Sequence, residues 1–216
     1  WQAQVPAQLG AGFRVLVYDR WGYGRSSPRP ALDLPTFAAD VADLHALLAH
    51  CGIARAALVG HSDGGTLALY YAAQYPQQVS CLVTIAAHIY VEPSIPPGVL
   101  AVGKDYASNA RFRRGLQRIH GEQAEQVFHN WYDGWLGLEN LAWDMRPILA
   151  QITCPALVVQ GTQDEHASPQ HARDVAAAIP GASLWLLEGA RHMLPQENAP
   201  EFNRVLVSFL ERAYVR

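Results

Sequence analysis

The chain has 216 residues, half of them hydrophobic and 16% charged, with a formal net charge of −3. That is enough apolar sequence for one domain with a full core, and too apolar a composition for a disordered segment. A pI near 6.3 leaves no basic footprint for nucleic acid, no apolar run has the length of a membrane span, and the start carries no signal-peptide pattern.

In chain order, "WQAQVPAQLGAG" reads as a helix ending at Gly10 or Gly12, so a chain opening at Trp1 reads as part of a longer protein. "FRVLVYD" (13–19) is β-rich and apolar and predicts a strand, closed by the turn "RWGYGRSSP". Over 35–51, Phe37, Val41, Leu44, Leu47 and Leu48 recur at helical spacing up to Gly52. "AALVGHS" (56–62) predicts a strand, 65–75 a helix closed by Pro76, and "VSCLVTIAA" (79–87) another strand. After a long middle segment the alternation resumes with "ALVVQGTQD" (156–164), a helix near 169–179, "SLWLLEG" (183–189) and a last helix near 198–212. The strand runs are continuous rather than alternating, as in strands buried on both faces, and strand–helix repetition predicts an α/β fold with a mostly parallel sheet flanked by helices. Cys51, Cys81 and Cys154, odd in number and in or beside apolar segments, read as reduced core thiols of a cytoplasmic protein.

The stretch 93–149 breaks the pattern and predicts a helical cap, dividing the chain into core (1–92), cap (93–149) and core (150–216). Phe112, Leu116 and Ile119 share one helix face; Val127, Phe128, Trp131, Tyr132 and Trp135 share the next. These aromatics pack cap against core on the plainer reading; on the functional one, Trp131 and Trp135 line an apolar substrate pocket. Arg111, Arg113, Arg114 and Arg118 could attract a carboxylate, although an exposed helix face accounts for them more simply.

"LVGHSDGG" (58–65) carries Gly-x-Ser-x-Gly between a predicted strand and a predicted helix. A turn this sharp needs its glycines, and it sets the serine Oγ at the start of a helix, where the Asp63 backbone N–H can face a developing oxyanion. Ser62 is therefore the candidate nucleophile. A serine needs a base, and the base a carboxylate to orient it. Asp164 and His192 follow later strands and so fall on the same rim of a parallel sheet. Glu165 and Glu92 are competing acids; His166 and His171 with Asp164 are a weak metal candidate; His45 and His50 sit on a helix; His88, after a strand on that rim, is a candidate pocket residue.

"YDRWGYGRSS", "GHSDGG", "GTQD" and "GARHMLPQENAPEFNRVLVSFL" occur in the order found in α/β-hydrolase fold proteins, which the chain resembles nearly everywhere outside the cap. The resemblance implies an esterase-type triad of Ser62, Asp164 and His192 with no metal or organic cofactor. Ser62-Asp63-Gly64-Gly65 is similar to the elbow of valacyclovir hydrolase and other biphenyl hydrolase-like proteins, where an acid after the nucleophile is associated with a substrate ammonium; here His61 replaces their tryptophan. That similarity makes Asp63 a substrate-binding candidate, against the simpler reading that it favours the helix N-terminus. The family's second oxyanion donor comes from an upstream His-Gly loop that has no counterpart in this sequence. The expectation is a serine hydrolase of small, partly apolar esters, with a small-molecule substrate and neither nucleic acid nor membrane as partner. A carbon–carbon bond hydrolase or lactonase with the same triad, or a non-catalytic binding relic, are the alternatives.

Overall fold

The computed structural model describes residues 1–138 and 142–214. Its elements are α1 (Gln4–Gly10), α2 (Ala38–His50), β1 (Ala56–His61), α3 (Asp63–Gln74), β2 (Val79–Ile85), α4 (Ile95–Ser108), α5 (Ala110–His120) and α6 (Ala124–Leu136). These are followed by α7 (Arg146–Leu149), β3 (Ala156–Gly161), α8 (Pro169–Ala178), β4 (Ser183–Leu187), α9 (Leu194–Glu197) and α10 (Ala199–Tyr214). They form two compact units: Trp1–Leu16, Leu48–Tyr90 and Asp144–Arg216 in the first, Val17–Leu47 and Val91–Trp143 in the second.

The first unit is built on a sheet in the order β1-β2-β3-β4, every pair parallel. Parallel neighbours need a crossover, and α3 and α8 supply it between β1 and β2 and between β3 and β4. Every residue of β2 and β3 is buried, which is why both read as unbroken apolar runs, while β1 and β4 are the partly exposed edges. Alternation along β2 turns Cys81, Val83 and Ile85 into a core with Leu157 and Val159 of β3 and with Phe202, Leu206, Phe209 and Leu210 of α10, whose spacing makes one helical face. Because the strands are parallel, the residues that follow β1, β3 and β4 all emerge at one edge of the sheet.

The second unit packs α4 against α6 and α5 against both. Asn109 caps α5, its Oδ1 accepting from the N–H groups of Arg111 and Phe112 at 3.0 and 3.1 Å. Ile95, Val99, Trp135 and Leu138 form a small core here, and the Tyr106 and Phe128 rings stack 3.6 Å apart. The stretch 17–47 is fastened to these helices by hydrogen bonds: Gly24 N–H donates to His120 Nδ1 at 2.9 Å and Gln123 Nε2 to Gly24 O at 2.8 Å.

Three sequence expectations change. Residues 13–20 are not a strand: a strand needs a neighbouring ladder, and among the described residues none pairs with this stretch, leaving Leu16 and Val17 44% and 54% exposed. The helix expected from residue 35 begins at Ala38, because Phe37 has φ 50°, outside the right-handed helical region. Of the three free cysteines, Cys81 and Cys154 are buried but Cys51 is exposed, beyond the apolar face of α2.

Candidate active site

Ser62 stands between the last residue of β1 and the first of α3, with φ 54° and ψ −125°. A non-glycine residue there is strained by roughly 1–3 kcal/mol, and the surroundings hold it: Ser62 N–H donates to Ile85 O at 2.8 Å, while Ser62 O accepts from Gly65 and Thr66 N–H at 2.8 and 3.1 Å. A Cβ on Gly60 would collide with the Gly64 carbonyl, and one on Gly65 would sit 2.9 Å from both Ala87 Cβ and Thr84 Oγ1. A Cβ on Gly64, the second glycine of the sequence motif, would face open space; the second glycine of the elbow that has no room for one is Gly65.

His192, in the loop after β4, points Nε2 at Ser62 Oγ, 3.0 Å away, and Nδ1 at both carboxylate oxygens of Asp164 at 2.9 Å. Asp164 Oδ1 also accepts from the N–H groups of His166 and Ala167 at 2.8 and 3.0 Å, and Oδ2 from Gln160 Nε2 at 2.6 Å. Burial pushes the Asp164 pKa up, but the His192 interaction and the two backbone N–H groups outweigh it and hold the carboxyl below its ordinary range. An ionised Asp164 only accepts, so Nδ1 is the protonated nitrogen of His192 and Nε2 is left to accept the Ser62 hydroxyl proton.

Two further imidazoles flank His192, His61 at 4.9 Å and His166 at 4.7 Å between ring centroids. His61 Nε2 lies 2.9 Å from the His192 carbonyl oxygen and must donate to it. Burial, then the neighbouring His192, lowers the His61 pKa to about 4, and the same two causes lower that of His166. The N–H of His192 donates to Glu165 Oε2 at 3.1 Å, and Glu165 Oε1 accepts from Arg191 at 3.1 Å.

His88 is buried, its carbonyl accepting from Thr66 Oγ1 at 2.7 Å and its Nε2 donating to the His166 carbonyl at 2.8 Å; burial, then His171, takes its pKa down to about 3. Asp63 is also buried, in the first turn of α3. Trp135, 3% exposed, is a core side chain of the second unit, and Trp131 packs partly buried against the same cluster. His171 stacks on Tyr90 at 4.0 Å, and among the described residues no group of three or more His, Cys, Asp or Glu is placed to hold a metal ion. Arg113 is committed to the carbonyls of Tyr106 and Ala107 at 2.5 and 2.7 Å. No local pattern in the sequence marks the contacts of His61 and Glu165, and for Gln160 the signal is a glutamine inside the apolar run "ALVVQG".

A serine on a strand–turn–helix elbow, joined to an imidazole and a buried carboxylate at one edge of a parallel sheet, defines a hydrolase class. The chain belongs to the alpha/beta hydrolase fold family, whose pattern matches residues 1–147. It is 31% identical to the serine hydrolase BPHL of Homo sapiens, over 96% of this chain and 78% of that one. It is 27% identical to the bifunctional esterase/perhydrolase DCH of Acinetobacter calcoaceticus, over 97% and 86% respectively. Among solved structures, a hydrolase from Pseudomonas aeruginosa superposes with a TM-score of 0.74 at 28% identity, over 97% of this chain and 84% of that one. Among the described residues no helix is long and apolar enough to cross a membrane.

Proposed function

We propose that the protein is a serine hydrolase that cleaves carboxylic esters of small, partly apolar molecules through an acyl-enzyme. The observation that carries this reading is the continuous line from Ser62 Oγ to His192 Nε2 at 3.0 Å and from His192 Nδ1 to Asp164 at 2.9 Å. Two relatives, one named a serine hydrolase and the other an esterase, support it.

In the proposed cycle His192 takes the Ser62 proton as Oγ attacks the ester carbonyl, and Asp164 stabilises the imidazolium that results. The N-terminal end of α3, with the Asp63 backbone N–H, faces the oxyanion. His192 returns its proton to the departing alkoxide, leaving the acyl group on Ser62. Water deprotonated by His192 then attacks the acyl carbon, and collapse of the second tetrahedral adduct releases the acid and restores the serine. Asp63, next to the nucleophile in sequence and buried in the first turn of α3, is proposed to favour a substrate that carries an ammonium group.

The test is fluorophosphonate labelling with mapping of the modified peptide, alongside turnover of p-nitrophenyl acetate. Ser62 is the expected site, and Ser62→Ala is expected to lower kcat by about 10³-fold or more. Label on another residue, or unchanged turnover in Ser62→Ala, overturns the reading.

A further inference from the structure

Hydrogen bonds to the His192 ring fix the base only if the loop that carries it is fixed. His192 lies between β4 and α9, where no helix or strand satisfies its main chain. Its N–H is met by Glu165 Oε2, from the turn after β3, at 3.1 Å, and its carbonyl by His61 Nε2, from the end of β1, at 2.9 Å. The loop is also held close to β3: Gln163 N–H donates to Ala190 O at 2.9 Å, and a Cβ on Gly161 would collide with that same carbonyl.

Resting on the reading of His192 as the base, we propose that His61 and Glu165 are positioning residues that clamp the His192 main chain from two sides and so set the distance between Nε2 and Ser62 Oγ. The consecutive carboxylates of the β3 turn then have separate tasks: Asp164 holds the ring of His192 and Glu165 holds its backbone. His61 serves as a neutral donor, and the carbonyl it meets belongs to the residue whose ring lies beside its own. A side-chain clamp on a loop base has a kinetic signature, because an error of about 1 Å in the base costs on the order of 10²-fold in rate while leaving substrate binding alone.

The experiment measures kcat and KM on p-nitrophenyl acetate, with a thermal melt for each variant. His61→Phe keeps a ring but removes the donor, and Glu165→Ala removes the acceptor; each is expected to lower kcat by about 10- to 100-fold with KM within about 3-fold. His61→Gln, whose amide N–H replaces the imidazole donor, and Glu165→Gln, which keeps an oxygen for the His192 N–H, are expected to recover most of that loss. Ser62→Ala separates this proposal from the one beneath it. If Ser62→Ala is inactive while His61→Phe and Glu165→Ala keep the parent kcat, the clamp is overturned and the nucleophile assignment stands. Loss of kcat that follows a lowered melting temperature and is not recovered by the glutamine variants overturns it as well, since that is the mark of a merely structural role. If Ser62→Ala itself turns over normally, the nucleophile assignment falls and the clamp with it.

Discussion

Asp164 and Glu165 are neighbours in sequence, and their side chains meet His192 at different atoms, which makes the pair a sharp test of what a carboxylate does beside an imidazole. The Asp164 carboxylate faces Nδ1 at 2.9 Å and is held ionised by three N–H donors besides the imidazole. An amide at that position can turn its own N–H towards Nδ1, which forces the proton onto Nε2 and leaves nothing to accept from Ser62. Asp164→Asn is therefore expected to lower kcat by about 10⁴-fold with the fold intact, a loss well beyond that of Glu165→Ala. Steady-state kinetics on both variants decide it; a residual kcat of Asp164→Asn within an order of magnitude of the parent would place the orienting acid elsewhere. Gln160 belongs to the same local logic, since its Nε2 is 2.6 Å from Asp164 Oδ2 in a fully buried setting.

The strand–turn–helix elbow separates what sequence reports from what only packing reports. Gly60 and Gly64 make the sequence motif, yet the structure crowds Gly60 and Gly65 and leaves room at Gly64. Gly64→Ala is thus expected to be tolerated or to stabilise by roughly 0.5–1 kcal/mol, as glycine to alanine does within a helix, whereas Gly60→Ala is expected to destabilise severely and to abolish fluorophosphonate labelling. Equal melting temperatures and labelling for the two variants would refute the assignment. The same distinction holds across the chain. β2 and β3 were legible because continuous apolar runs between turn residues report burial on both faces, the edge strands β1 and β4 because their apolar runs are likewise bounded by turn residues, and the meeting of Ser62, Asp164 and His192 at one edge because each follows such a run. Residues 13–20 carry a similar pattern but join no ladder, since apolar composition reports a tendency to be covered and not the strand that would cover it. For the same reason the association of 17–47 with 91–143 was hidden: periodicity marks the face of an element that is buried, not its partner. The contacts of His61 and Glu165 with the His192 backbone depend on loop paths that no local pattern encodes.

Titration of buried groups sets the pH range over which the molecule as a whole stays folded. His61 and His88 are neutral in the folded chain, with pKa values of about 4 and about 3 against an ordinary 6.5, in both cases chiefly because burial opposes their charge. Between pH 6.5 and those values the unfolded chain binds protons that the folded one refuses, so stability falls as pH falls; at about 1.4 kcal/mol per unit, the His61 shift alone is on the order of 3 kcal/mol. Asp164 and Glu165, both held below the ordinary carboxylate range, act in the same direction: their stabilisation is present above their unfolded pKa values and is lost as acid protonates them in the fold. On the alkaline side burial raises Cys81 from 9.0 to about 11 and Tyr18 from 10.0 to about 12, so the unfolded chain ionises first and stability falls as pH rises through those intervals. Melting temperature against pH is therefore expected to form a plateau between about 6.5 and 9, with a decline on each side. Replacing His61 with Gln, which has no charge to gain, is expected to make the acid decline shallower without moving the alkaline one. A melting curve that stays flat from pH 6.5 down to about 4 would mean that neither imidazole is buried neutral, and an acid decline of the same slope in His61→Gln would mean that His61 does not contribute to it.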